Sequence, residues 1–271
     1  MILPVMIHGQ NINVKMMTYN LKFDDTGDEV NNWDRRKNEV IGLLKFYEPE
    51  IIGTQEGLKH QIDQIDRSLK NSSYVGVGRD DGEHQGEFTA IFVDTTRFSI
   101  LDENTFWLSE TPDEPSRGWD AAIKRINTYV LLRDLITDNE FYLFNAHLDH
   151  IGSKSRLESV KLIWEKYWEI SGGDRIPAVI MGDLNAEPGD PPIQFLSERI
   201  LDTYEITENP PYGPVGTFNG FDFDEKPERR IDYIFTDNNF RVLKYAAIND
   251  FSDFRYPSDH FPVYIEAKFN K

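Results

Sequence analysis

The sequence predicts an α/β protein: two mixed β-sheets packed face to face with helices outside, a four-layer α/β/β/α sandwich. Three observations predict it. Apolar runs of strand length alternate with stretches of helical spacing along the 271 residues. Each half of the chain opens strand–helix–strand and continues with strand pairs, which suggests two similar lobes, each a mixed sheet with helices on one side. Polar residues of catalytic type recur just past the apolar runs, at C-terminal strand ends, where catalytic loops gather in α/β folds.

The elements follow in order. Val14–Tyr19 reads as a strand ending at Asn20. Asn32 caps a helix to about Tyr47, with Val40, Leu43, Leu44 and Tyr47 on one face, and Pro49 stops it. Glu50–Gln55 is a short buried strand that delivers Glu56. Leu58, Ile62, Ile65 and Leu69 mark a second helix. Tyr74–Val77, Phe88–Val93 and Phe98–Leu101 read as strands, and Thr111–Ala122, with Pro112, Pro115 and Gly118, as a long loop. Ile126–Asp134 and Glu140–Ala146 form a hairpin around Asp138-Asn139. Lys154–Ile170 is an amphipathic helix through Leu157, Val160, Trp164 and Tyr167. Ala178–Met181 is a strand leading to Asp183, and Pro191–Arg199 is a short helix. Ile231–Thr236, Val242–Ile248 and Phe261–Phe269 close the chain as strands. Residues 14–271 are expected to form a single catalytic domain, behind a tail or signal remnant over 1–13.

Composition narrows the function. Lys and Arg number 29 against 47 Asp and Glu, a formal charge of −18. Such a surface repels polyanions, with screening beyond roughly 8 Å at physiological salt. General nucleic-acid binding, which runs on Lys/Arg–phosphate contacts, is disfavoured. An aromatic fraction of 13% and 39% hydrophobic residues suit a packed core rather than a disordered acidic chain. The absence of cysteine excludes disulfides, thiol catalysis and Cys-based zinc sites. No stretch approaches the roughly 20 apolar residues of a membrane span. Met1–Ile7 is apolar but short and lacks a basic n-region, so cytoplasmic location and export with a trimmed signal peptide both stay open. A monomer is expected.

The chemistry lies in a few short segments. Gly182-Asp183-Leu184-Asn185 and Ser258-Asp259-His260 each set a carboxylate beside a second polar group of catalytic type. Metal-assisted attack of water on phosphorus needs such groups: carboxylates for a hard cation, a proton acceptor, and donors for the phosphoryl oxygens. Asp183 and Asn185 are two apart and point the same way in an extended segment. One can orient or deprotonate the water while the other donates to a phosphoryl oxygen. Glu56, straight after Ile51-Ile52-Gly53, suits a metal site, since magnesium takes one or two carboxylates plus waters. The Asn20 amide could meet a metal, its water or a phosphate. His147, in Asn145-Ala146-His147-Leu148-Asp149-His150, reads as a phosphoryl donor and His150 as a substrate contact. Asp232 lies among the apolar residues of Arg230-Ile231-Asp232-Tyr233-Ile234 and needs a partner. His260 is the candidate. That pairing would raise the imidazole pKa, fix its tautomer and leave Asp259 for the metal.

The motif series Tyr19-Asn20, Gln55-Glu56, Asn145 to His147, Gly182 to Asn185, Arg230 to Asp232 and Ser258 to His260 resembles the endonuclease/exonuclease/phosphatase superfamily. That is the magnesium-dependent fold of pancreatic-type deoxyribonuclease, apurinic endonucleases, neutral sphingomyelinases and inositol polyphosphate 5-phosphatases. The resemblance runs from Val14 to about Phe269. It implies that Asn20, Glu56 and Asp259 hold Mg²⁺, with Mn²⁺ as the alternative ion. Asp183 and Asn185 would handle the nucleophile and the phosphoryl oxygens, and Asp232 would orient His260. Arg125 falls where some members place a phosphate-binding arginine. Members differ over whether the Asp183-type or the His260-type residue is the base.

Pro227–Asp232 lacks the Cys-containing Trp/Pro-rich stretch of 5-phosphatases, and the charge lacks the basic face of apurinic endonucleases. Gly182–Pro188 is similar to nocturnin-type and deadenylase-like enzymes and to uncharacterised bacterial hydrolases. Thr105–Pro112 and Gly118–Ala122 resemble those bacterial hydrolases, and Trp119 and Asp120 are expected to wall the substrate pocket. The implied activity is a Mg²⁺-dependent phosphodiesterase or phosphatase acting on a small or lipid-linked phosphoester. A nuclease of the same fold is the alternative. A catalytically silent binding domain fits poorly, because every motif keeps chemically competent residues.

Overall fold

The computed structural model describes residues 12–173 and 175–270. Of the expected tail, only Ile12 and Asn13 fall within the described residues. The first elements are β1 (Val14–Asn20), α1 (Trp33–Tyr47), β2 (Ile51–Gln55), α2 (Lys59–Ser68), β3 (Ser72–Val75), β4 (Ile91–Asp94) and β5 (Phe98–Trp107). Next come β6 (Ile126–Asp134), β7 (Glu140–His147), α3 (Ser153–Ile170), β8 (Ala178–Asp183) and α4 (Pro191–Ser197). The chain finishes with β9 (Leu201–Asp202), α5 (Thr203–Ile206), β10 (Asp232–Thr236), β11 (Phe240–Ala247) and β12 (Val263–Phe269).

These strands make two six-stranded sheets, ordered β11-β12-β1-β2-β4-β3 and β5-β6-β7-β8-β10-β9. Strand periodicity builds the layers. Met16, Ile51, Val179 and Met181 point between the sheets and share one core with Val130, Leu143 and Ile265. Their neighbours point outward. Met17 and Ile52 pack under Val40, Leu44, Ile62 and Ile65 of α1 and α2, while Phe144 and Ile180 pack under Val160, Ile163 and Ile193 of α3 and α4. The central strands are thus buried on both faces, which explains their unbroken apolar runs. Each such large apolar side chain contributes roughly 1.5–3 kcal/mol. The sheets come close at Gly53, where a Cβ would stand 2.7 Å from the Met181 sulfur and 2.9 Å from the Asn145 side chain.

Helix α1 begins as expected, with the Asn32 side chain accepting from the Arg35 N–H at 3.2 Å. It ends at Glu48, which is left-handed at φ 47. Other expectations need correction. The lobes are not the two halves of the sequence, because β12 returns to pair antiparallel with β1 and β11 follows it into the first sheet. Strand β5 runs six residues past Leu101. It is an edge strand with a register shift between Ile100 and Asp102, and its exposed Asp102, Glu103 and Asn104 hide the apolar alternation.

Candidate active site

Register brings the motifs to one end of the sandwich. Asn20 ends β1 beside Gln55, and Glu56 follows. His147 lies opposite Asp183 on parallel β7 and β8, and Asp183 lies opposite Asp232 on antiparallel β10. Because β12 runs antiparallel to β1, the Ser258-Asp259-His260 segment entering it arrives at the end of β1. A polar bridge ties the sheets just behind. The Asn145 amide donates to the Thr54 and Ala90 carbonyls, and Gln55 donates to Asn145 Oδ1 at 2.7 Å. The cleft in front, about 440 Å³, is lined by Glu56, Arg125, His147, Asp183, Asn185 and His260 among others. A larger groove of about 700 Å³ beside α1 contains none of the predicted site residues.

One flank of the cleft is acidic. Glu56, Asp183 and His260 present ligand-type atoms within 4.8 Å of one another. Carboxylates at that spacing fit a hard divalent cation, and the buried donor set offers no thiolate to favour a soft one. Asp259 joins this group through Lys22, whose Nζ lies 3.5 Å from Asp259 and 4.0 Å from Glu56. Burial alone would raise the Glu56 carboxyl. Lys22, His260 and the N–H donors of Asn20 and Phe23 outweigh it and hold the group below its ordinary value. Asp259 is raised by burial and by Glu56.

The opposite flank carries donors. Arg125 Nη1 lies 2.9 and 3.0 Å from the two ring nitrogens of His147, and Nη2 3.0 Å from His150 Nδ1. Burial, with Arg125 next to it, pushes His147 well below the usual imidazole range, so the ring is neutral and accepts from the guanidinium. Its Nε2 lies 3.4 Å from Asp183 Oδ2.

Between the flanks, Asp232 Oδ2 accepts from His260 Nδ1 at 2.9 Å and from the Thr217 hydroxyl at 2.6 Å. Burial would lower His260, but Asp232 and Asp183 overcome it and raise the imidazole to about 10. Burial and the Asp232 charge raise Asp183 to about 7, where a carboxylate is poised to take a proton near neutral pH. The Phe218 ring closes over His260 edge-on at 5.1 Å.

The structure therefore brings together Glu56, Arg125, His147, His150, Asp183, Asn185, Asp232, Asp259 and His260, with Asn20 beneath them. Three placements differ from expectation. Asn20 Nδ2 donates to Glu56 and Asp183 at 3.0 Å each, and its oxygen accepts from the Lys22 N–H. It bridges two carboxylates rather than presenting oxygen to a cation. Asn185 is not in extended backbone. Its N–H donates to Asp183 Oδ1 in a turn at φ 46, and one amide hydrogen goes to the Leu148 carbonyl. Trp119 and Asp120 do not line the cleft. Asp120 accepts from the Ser155 and Lys154 N–H groups at the start of α3, and the Trp119 N–H is held by Glu110.

Sequence reasoning passed over Lys22, Glu87, Arg79 and Thr217. Lys22 shares the motif of Asn20, so its spacing was a usable signal. Glu87 lines the cleft beside Arg79 (2.5 Å) and Arg125 (4.0 Å). Burial, with Glu56 adding to it, raises its carboxyl to about 7 against those arginines.

The family model described as the endonuclease/exonuclease/phosphatase family matches residues 17–260. A crystal structure of a family protein from Bacteroides thetaiotaomicron is 38% identical, with a TM-score of 0.90 over 95% of this chain and 98% of that one. A mannosyl-6-phosphatase from the same organism is also 38% identical, with a TM-score of 0.89 over 94% of this chain and 100% of that one. Among curated sequences, the CCR4-Not complex 3′-5′-exoribonuclease subunit Ccr4 of Aspergillus niger is 22% identical over 90% of this chain and 48% of its own length. The chain spans about half the length of the curated relatives it matches. The described residues contain no helix long and apolar enough to cross a membrane. With the family model covering nearly the whole described chain and the motif residues meeting at one cleft, this protein belongs to the endonuclease/exonuclease/phosphatase family, a family of metal-dependent phosphoester hydrolases.

Proposed function

We propose that this chain is a Mg²⁺-dependent phosphatase acting on a small phosphorylated compound of the sugar-phosphate class. The observation that carries the reading is the meeting of Asp183 with three things: the acidic cluster with Glu56, the Asp232–His260 pair, and His147, which in turn meets the guanidinium of Arg125. The substrate class draws on the mannosyl-6-phosphatase, whose full length this chain matches.

Glu56 and Asp259 would hold the Mg²⁺, which when bound neutralises charge on the phosphoryl oxygens. The rest is the work of the chain. Asp183 Oδ2 orients water and takes its proton, with Asn20 fixing that oxygen. His260, kept protonated by Asp232, directs its Nε2–H toward a phosphoryl oxygen. The second Nδ2 hydrogen of Asn185 and the guanidinium of Arg125 meet the remaining oxygens.

The test compares p-nitrophenyl phosphate, mannose 6-phosphate and bis(p-nitrophenyl) phosphate with Mg²⁺, Mn²⁺ or EDTA. EDTA-sensitive monoester cleavage with little diester cleavage is expected. The Ccr4 relatives favour a second reading, an exonuclease acting on RNA. Trimming of a short RNA at rates above monoester cleavage would establish that reading instead. The −18 formal charge weighs against it.

A further inference from the structure

We propose that Lys22 is an exchangeable cation: its ammonium neutralises Glu56 and Asp259 until a divalent ion takes its place, and it then turns to the phosphoryl group of the substrate. The inference rests on the metal-site reading above and adds a residue and a binding preference to it.

Lys22 is held on its course from both sides of its peptide. Its φ is 55, in the left-handed region that non-glycine residues seldom occupy. The Asn20 side chain accepts from its N–H at 3.0 Å, and the buried guanidinium of Arg36 donates to its carbonyl at 2.9 Å. This turn sends the side chain over the Phe23 ring, Nζ at 4.6 Å from the centroid, and into the cleft.

The ammonium ends 3.5 Å from Asp259 Oδ2 and 4.0 Å from Glu56 Oε2. Charge-assisted hydrogen bonds run about 2.7–2.9 Å, so this is neutralisation at a distance rather than a locked pair. Magnesium approaches oxygen at about 2.0–2.1 Å and carries twice the charge. An ammonium and a dication between the same two carboxylates would repel, and the weaker-held cation leaves. Lysine has a flexible four-carbon stem and a compact charge, which suits it to move where an arginine fork would not.

The displaced Nζ stays within a cleft also lined by Arg125 and Arg229. A cleft lined by three side-chain cations favours a dianion over a monoanion. A phosphate monoester carries that charge near neutral pH and a diester does not, so Lys22 would bias the site toward monoesters.

Three measurements test this. Calorimetric Mg²⁺ titration is run on the wild type, Lys22→Met and Glu56→Gln. Lys22→Met should bind Mg²⁺ on the order of tenfold more tightly, because a competing cation is gone. In the unaltered protein, amine labelling followed by mass spectrometry should find Lys22 more reactive with Mg²⁺ than with EDTA, a readout that needs no variant to fold. The KM of Lys22→Met for p-nitrophenyl phosphate should rise on the order of tenfold, and that for the diester much less. Equal Mg²⁺ affinity in wild type and Lys22→Met, or Lys22 labelling indifferent to Mg²⁺, overturns the exchange. Wild-type Mg²⁺ affinity in Glu56→Gln would instead sink the metal-site reading and leave the behaviour of Lys22 to be judged by labelling alone.

Discussion

The two walls of the cleft are built by different sheets and carry different side chains. The first sheet supplies Asn20, Lys22 and Glu56 from the ends of β1 and β2, with Asp259 from the entry to β12. Apart from Lys22, this wall is a place for a cation. The second sheet supplies Arg125, His147 and Asp183 from β6, β7 and β8 and the segments joined to them. Of these, Asp183 faces the acidic group of the first wall, while Arg125 is the one guanidinium and the candidate for an anion. A phosphoester needs both, and packing one sheet on the other holds them a fixed distance apart. His260 crosses the divide: it enters from the first sheet and is held by Asp232 of the second. The division of labour thus depends on how tightly the sheets are registered, which is the task of the Asn145–Gln55 bridge behind the cleft.

The largest effect should come where the walls meet. Asp183→Asn removes the carboxylate proposed to accept the proton while keeping the shape, and His260→Ala removes the group that crosses. Each should lower kcat by about 10²–10³ with the fold intact. Near-wild-type turnover in both, read beside unchanged circular dichroism, would sink the assignment.

Next comes a change confined to the first wall. Arg36 is buried and donates to the carbonyls of Leu21, Lys22 and Pro257 at 2.7–2.9 Å, tying the turn after β1 to the segment that leads to Asp259. Arg36→Met leaves those carbonyls without partners and should cost about 3 kcal/mol. Mg²⁺ affinity should fall while the affinity for inorganic phosphate, proposed to lie at Arg125, persists, separating the walls. Equal losses of metal and phosphate binding would show instead that the walls act as one unit.

Much of this was legible in the sequence, because each motif pairs an apolar strand run with a polar residue directly after it. That pattern marks strand ends for Asn20, Glu56, His147 and Asp183, and a sandwich brings such ends together. What stayed hidden depends on contacts distant in sequence. Periodicity carries no strand order, so the return of β12 to β1 could not be seen, and the two lobes were misassigned to the two halves. The amide direction of Asn20 depends on the convergence of Glu56 and Asp183, the latter 163 positions away. Arg36 resembles any helix-surface arginine until Pro257, 221 positions on, is seen to cover it. Lys22 was within reach of the Asn20 motif, but its aim into the cleft depends on a left-handed turn held partly by Arg36, 14 positions on.

The junction of the walls should also be visible in pH. The folded state keeps the His260 proton to about pH 10, whereas an unfolded imidazole releases it near its ordinary value of 6.5. The stabilisation is therefore fully present below about pH 6.5 and is lost as pH rises toward 10. Thermal unfolding in EDTA should drop in midpoint across that window, and Asp232→Asn should flatten the drop. A wild-type profile already flat from pH 6.5 to 10 would mean that the pair contributes nothing to holding the walls together.

The smallest effect belongs to the loop once expected to wall the pocket. Asp120 accepts from the Ser155 N–H at 2.6 Å and the Lys154 N–H at 3.2 Å, so it caps α3 from a distant part of the chain. The residue at the cap position itself is Gly152, whose side chain can offer nothing and whose missing Cβ leaves room, since one would stand 2.6 Å from Asp120 Oδ1. Asp120→Ala should then cost about 1 kcal/mol, the usual value of a helix cap. The unfolding midpoint should fall by roughly 2–4 °C. Neither wall touches Asp120, so kcat and KM for p-nitrophenyl phosphate should stay at wild-type values below the transition. A selective rise in KM for a sugar phosphate, with kcat and the midpoint unchanged, would return this loop to the substrate and extend the anion wall beyond the second sheet.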